Sequence, residues 1–161
     1  MTDLSPDDRR HLAHAVALSR QHMEQGEGGP FGAVVVRDGR VLAEGWNQVT
    51  SAKDPTAHAE VVAIRQACQA AGDFSLDGAT LYTSCEPCPM CLASAYWARV
   101  SRIVYANTRD DAAAIGFDDK LIYDEIPKQP HDRLIPMTHA PSDEAGGVFA
   151  DWLRKADRVA Y

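Results

Sequence analysis

The sequence predicts an α/β domain three layers deep, with helices on both faces of a central mixed sheet of five strands. Three observations carry that reading. Two β-rich runs, residues 31–36 and 40–46, flank Asp38-Gly39, a dipeptide that favours a tight hairpin turn. Residues 57–71 place Val61, Ile64, Cys68 and Ala71 at spacings of three and four, the period of a helix with one buried face. After the hairpin, strand-like and helix-like runs alternate, which builds parallel pairing into the sheet.

The elements follow in order. Ser5-Pro6-Asp7-Asp8 opens a helix: a hydroxyl cap, a proline whose missing N–H costs nothing there, then acids facing the positive end of the helix dipole. That helix is expected to reach about Gln25 with Leu12, Val16 and Met23 inward, and Gly26-Glu27-Gly28-Gly29-Pro30 ends it. A polar loop over 47–55 follows the hairpin, and Gly72 stops the helix at 57–71. Residues 79–84 read as a third strand, 92–98 as a helix and 102–106 as a fourth strand. Short helical pieces are expected within 110–125 and a fifth strand over 133–138. Ser142-Asp143-Glu144 then opens a last helix through Trp152 and Leu153, although Gly146-Gly147 weakens it. Without an internal repeat or low-complexity segment, residues 1–161 are expected to form one domain.

Composition narrows the function classes. At 45% hydrophobic and 24% charged the chain reads as an ordinary globular protein, with no apolar run of the roughly 20 residues needed to cross a membrane. The N-terminus lacks the apolar core of a secretory signal, so a cytoplasmic location is expected, where four cysteines serve as metal ligands or buried thiols rather than disulfides. Net charge is −7 with Lys and Arg scattered, so no nucleic-acid partner is expected.

Three of the cysteines lie in Ser84-Cys85-Glu86-Pro87-Cys88-Pro89-Met90-Cys91, and upstream stands Thr56-Ala57-His58-Ala59-Glu60. H-x-E followed by P-C-x-x-C is a known signature of zinc deaminases. With Pro87 at the first position of a helix, Cys88 and Cys91 fall three apart on one face, and the helix N-terminus favours their thiolates. The expected zinc ligands are therefore His58, Cys88 and Cys91. Recruiting Cys85 as a fourth ligand would instead close a purely structural site. Glu60 argues for catalysis, because a structural zinc has no use for a carboxylate two residues from its His. Residues i and i+2 do not share a helix face, so His58 and Glu60 converge only around a helix mouth. Both flanking helices should thus aim their N-termini at the metal. The chemistry this supports is attack of an activated water on an amino-bearing sp² carbon, with Glu60 carrying protons to a ring nitrogen and to the departing amine. No H-E-x-x-H, P-loop or G-x-S-x-G motif occurs to support peptide hydrolysis, phosphoryl transfer or serine chemistry.

The chain resembles the cytidine deaminase superfamily and, within it, the small bacterial guanine deaminases. The resemblance runs from about Gly28 to Tyr161 and rests on GGPFGAVVV, AEGWNQVT, DPTAHAEVVAIRQAC, TSCEPCPMC, YWAR and GFDDKLIYDEI. It implies the cytidine-deaminase-like three-layer fold, one zinc per subunit on His58, Cys88 and Cys91, and Glu60 as proton shuttle. It further implies Asn47 as an amide that hydrogen-bonds a purine, Phe31 and Trp97 as aromatic walls, and Asp119 as a second shuttle beside the leaving amine. The implied assembly is a homodimer whose C-terminal tail, residues 142–161, crosses to close the partner's site through Tyr161. The implied reaction is guanine to xanthine and ammonia, in purine catabolism. Alternatives are a tRNA adenosine deaminase, a deaminase of another base or aminated heterocycle, and a non-catalytic zinc-stabilised domain.

Overall fold

The computed structural model describes residues 3–161. They fall into two compact units, residues up to Asp119 and Lys120–Tyr161.

In the first unit, helix α1 (Pro6–Glu24) leads into the hairpin of strands β1 (Gly32–Arg37) and β2 (Arg40–Trp46). Asp38 and Gly39 both take positive φ, 53° and 73°, as a two-residue hairpin requires. A short helix α2 (Val49–Ala52) interrupts the polar loop, and helix α3 (Ala59–Ala71) ends on Gly72 at φ 65°. Strand β3 (Thr80–Cys85), helix α4 (Pro89–Trp97), strand β4 (Arg102–Asn107) and helix α5 (Arg109–Ala114) complete the unit.

Among the described residues the sheet has four strands in the order β2-β1-β3-β4, antiparallel except for the parallel pair β3/β4. The fifth strand expected at 133–138 is absent. Pro136 lacks an amide hydrogen, and the neighbouring backbone bonds elsewhere: Leu134 N–H donates to Glu125 Oε2 at 2.7 Å.

Strand β1 alternates between two cores, as a strand covered on both faces must. Ala33 and Val35 pack with Leu81, Ala63, Ile64 and Ala95 beneath α3 and α4. Val34 and Val36 pack with Ala15, Leu18, Tyr82 and Val104 beneath α1. The inward stripe of α1 differs from expectation. Asp8, His11, Ala15, Leu18, Ser19 and His22 are buried, whereas Val16 and Met23 are exposed and Leu12 only half-buried. The helix lies so close to the sheet that a Cβ on Gly32 would stand 2.3 Å from Ala15 O, so only glycine fits that position of β1.

Within that stripe, Asp8 is the most densely bonded side chain. Asp8 accepts from Tyr82 Oη at 2.7 Å and from Arg102 Nη1 at 2.8 Å. It also completes a capping box with Ser5. Arg102 first, then Tyr82, holds the Asp8 carboxyl far below the usual carboxylate range, and burial and Asp8 push the Tyr82 hydroxyl up to about 12.

The second unit holds helix α6 (Lys120–Glu125), a 3-10 turn at Pro130–Asp132 and helix α7 (Asp143–Arg154). Ser142 caps α7 by accepting from Ala145 N–H at 3.2 Å, and the helix runs through Gly146 and Gly147. Val148, Phe149, Trp152 and Leu153, at spacings of three and four, are all exposed on α7. No described helix is long and apolar enough to cross a membrane.

Candidate active site

Sheet polarity gathers the chemistry at one end. Gly32 at the start of β1 pairs with Trp46 at the end of β2, while β3 and β4 end together at Cys85 and Asn107. Phe31, Asn47, the 86–88 segment and Thr108 therefore all leave the sheet at the same edge. Cross-links hold them there: Asn47 N–H donates to Phe31 O at 3.0 Å, Gly32 N–H to Ser84 Oγ at 3.0 Å, and Glu86 N–H to Asn107 O at 2.8 Å.

Two helices begin at this edge. His58 is the N-cap of α3 and Cys88 the N-cap of α4, both with extended backbone and neither bonding its own helix through the side chain. Cap positions favour Ser, Thr, Asp or Asn, which do bond the helix. Here both ligating side chains give up that stabilisation and turn toward each other. The proline at the first position of α4 is Pro89 rather than Pro87, so the helix starts two residues later than expected; Cys88 is its cap and Cys91 sits in its first turn. Gly45 makes the placement of α3 feasible, because a Cβ there would stand 2.3 Å from Ala59 O in that helix's first turn.

His58 Nδ1 lies 3.6 Å from Cys88 Sγ and 3.5 Å from Cys91 Sγ, and the two sulfurs are 3.6 Å apart. A tetrahedral zinc with ordinary bond lengths separates a nitrogen and a sulfur ligand by about 3.6 Å, and two sulfurs by about 3.8 Å. The triangle fits zinc without rearrangement. Among the described residues it is the one His/Cys/Asp/Glu group so arranged. Cys85 is not part of it: its buried Sγ donates to Thr108 O at 3.5 Å, and burial pushes its thiol up to about 11.

The electrostatics are those of a site poised for a cation. Hydrogen bonds from Cys91 and His58 bring the Cys88 thiol down to about 4, and the contact with Cys88 pushes His58 upward. The hydrogen bond to Cys88, burial and the Glu60 carboxyl all push Cys91 up. Two thiols beside one imidazole share protons; a dication displaces them. Glu60, second in α3 and only 6% exposed, lies against Cys91, and burial raises its carboxyl above the ordinary value. His58 and Glu60 meet around a helix mouth, as the i, i+2 spacing demanded.

The remaining expected residues divide. Asn47 is buried, and its Oδ1 accepts from Gly29 N–H and Val49 N–H, both at 3.2 Å. Phe31 is half-buried with its ring edge-on to Phe117, centroids 4.9 Å apart, a contact the sequence did not announce. Asp119 pairs with Arg109 Nη2 at 3.2 Å, and burial and the Cys88 charge raise its carboxyl against the pull of Arg109. Trp97 stands apart. It ends α4, 66% exposed, nine residues from Cys88, about 13 Å along a helix at 1.5 Å per residue. Tyr161 is exposed at the end of the second unit. Arg109 as partner of Asp119 had no signal in spacing, because Arg109 opens α5 and Asp119 lies beyond the turn that follows that helix.

A three-cornered zinc site with a buried carboxylate against it, and with the fourth nearby cysteine turned away, defines a hydrolytic zinc enzyme rather than a structural zinc. The chain belongs to the cytidine and deoxycytidylate deaminase family, whose zinc-binding region matches residues 5–107. It is 50% identical to guanine deaminase of Bacillus subtilis over 150 residues, 93% of this chain and 96% of that one. A crystal structure of guanine deaminase from Bacillus subtilis superposes with a TM-score of 0.93 at 49% identity, covering 95% of this chain and 98% of that one. The tRNA-specific adenosine deaminase of Agrobacterium fabrum is 41% identical over 108 residues, 67% of this chain and 71% of that one.

Proposed function

We propose that this chain is a guanine deaminase, converting guanine and water to xanthine and ammonia. The observation that carries the reading is Glu60, held in the first turn of α3 against a His58–Cys88–Cys91 triangle of zinc dimensions. Similarity over nearly the whole length to a guanine deaminase supports the choice of base. Zinc held by His58, Cys88 and Cys91 supplies Lewis-acid activation of water near neutral pH.

The other steps belong to the chain's own residues. The Glu60 carboxylate takes a proton from the attacking water and passes it to a ring nitrogen of the base. It takes the second proton and gives it to the departing amine, leaving a ring carbonyl in place of the C–N bond. Asp119, paired with Arg109, assists that second transfer in this reading. Asn47 orients the base. Only an oxygen can accept two backbone N–H groups, so Oδ1 is identified by its partners, and Nδ2 is the donor that faces a purine acceptor. Phe31 supplies an aromatic wall.

The assembly proposed is a homodimer in which residues 142–161 close the partner's site through Tyr161. The apolar face of α7 supports this, as do Tyr96, 77% exposed, and Trp97 at the end of α4; a monomer rarely shows water so much aromatic surface. Trp97 reaches a base only across such an interface.

A panel of guanine, adenine, cytosine, their nucleosides and a tRNA anticodon stem, assayed for ammonia, tests the reading. Guanine is expected to be the preferred substrate. Release from tRNA without release from guanine would replace it with the adenosine reading.

A further inference from the structure

Beside Asn47, and unused by the chemistry above, lies a polar cluster of three side chains from three segments. His22, in the last turn of α1, stacks on Trp46 at the end of β2, with ring centroids 3.7 Å apart and planes 4° from parallel. Trp46 Nε1 donates to Glu27 Oε2 at 2.5 Å. The other carboxylate oxygen, Oε1, stands 3.3 Å from His22 Nδ1, close but out of line for a hydrogen bond. Glu27 is also pinned through its backbone: its N–H donates to His22 O at 3.0 Å, and its carbonyl accepts from Thr50 Oγ1 at 3.4 Å.

The location gives this cluster its meaning. Glu27 sits inside Gly26-Glu27-Gly28-Gly29-Pro30, a run whose composition by itself specifies no single conformation. The loop nevertheless needs one. Gly29 N–H must reach Asn47 Oδ1, and Gly28 approaches so closely that a Cβ there would stand 2.0 Å from Asn47 O. Trp46 is the residue before Asn47. A carboxylate tied to the Trp46 indole therefore fixes the loop and the Asn47 backbone to one another. An isolated acid in a glycine-rich turn would ordinarily point to water; this one is a strut.

We infer that Glu27 is a positioning residue for base binding: by bridging His22 and Trp46 it locks the 26–31 loop onto Asn47 and thereby orients the carboxamide that meets the purine. The inference rests on the guanine deaminase reading for the identity of the base, but not for the mechanical role. Glu27 touches no reacting atom, so its loss weakens substrate binding rather than the chemical step.

The test compares zinc-loaded wild type with Glu27→Ala and Glu27→Gln. In Glu27→Ala, KM for guanine should rise about tenfold, the scale of one lost hydrogen bond to a charged group, with kcat within about twofold. Amide hydrogen exchange at Gly28, Gly29 and Asn47 should accelerate at least about tenfold, while α3 and α4 amides keep their protection. Glu27→Gln, whose amide oxygen still accepts from the indole, should recover most of both effects. Unchanged exchange at those amides in Glu27→Ala overturns the inference, as does a fall in kcat with KM unaltered. If wild type turns over no guanine, the functional reading fails, and the exchange comparison alone still decides the role of Glu27.

Discussion

In the proposed reading, one carboxamide at position 47 does two jobs that can be separated. Its oxygen shapes the loop by accepting two backbone N–H groups, and its nitrogen is the donor assigned to the base. Asn47→Asp keeps the acceptors and removes the donor. It is expected to raise KM for guanine at least about tenfold while moving the melting temperature little, and Asn47→Ala should lower both affinity and stability. Steady-state kinetics and a thermal melt on the two variants check this. Cys85 makes the complementary case. With its thiol buried against Thr108 O, outside the ligand triangle, Cys85→Ala should retain a full complement of zinc, whereas Cys88→Ser should lose it under dialysis against a mild chelator. At this scale the sequence was most informative, because H-x-E and P-C-x-x-C sit within single turns, where spacing dictates geometry. It was silent on Arg109 with Asp119, and on Glu27 with Trp46, because those contacts join segments that only the fold brings together.

Elements carry the site through close approaches rather than large side chains. Gly45 lets α3 begin against β2, with Ala59 O where a Cβ would be. Gly45→Val is expected to destabilise the protein by about 1–3 kcal/mol through overpacking, and to loosen zinc because His58 moves with that helix start. Parallel melts with and without zinc measure both effects. On the other face, Asp8 ties α1 to β3 through Tyr82 and to β4 through Arg102. A carboxyl more acidic in the folded state contributes stability above its unfolded value near 4 and loses it as pH falls lower. Asp8→Asn should therefore melt several degrees below wild type at pH 7, and the gap should narrow as pH falls from about 4 toward 2. These contacts also explain what sequence patterning misread. The inward stripe of α1 mixes polar residues with Ala15 and Leu18, so a search for Leu, Val and Met found Leu12, which packs against that core, but misplaced Val16 and Met23. The hairpin, by contrast, was legible because Asp38-Gly39 supplies the two positive φ angles it needs. The apolar 133–138 run was read as a strand, but Pro136 lacks an amide hydrogen and Leu134 N–H bonds the Glu125 side chain instead of a neighbouring strand.

For the whole molecule, the exposed apolar faces of α4 and α7 set the expectation of a dimer. Mixing distinguishes a tail that acts on its own site from one that acts on the partner's. A Glu60→Gln chain and a chain lacking residues 156–161 should each be nearly inactive alone. After subunit exchange, a swapped heterodimer has one intact site: Glu60 from the truncated chain beneath the tail of the other. Recovered activity in the mixture supports the swap, and no recovery places the tail on its own chain. The charge of −7 fits a small-molecule substrate, since no excess of cations draws a polyphosphate chain to the surface.

The most direct measurement is zinc content together with guanine turnover in wild type and Glu60→Gln. Wild type should hold one zinc per chain and release xanthine and ammonia in equal amounts. The variant should keep the zinc while losing turnover by about 10²–10⁴-fold, the scale of a lost acid–base group. A Glu60→Gln protein as active as wild type, or a zinc-loaded wild type inert toward guanine, would contradict the account.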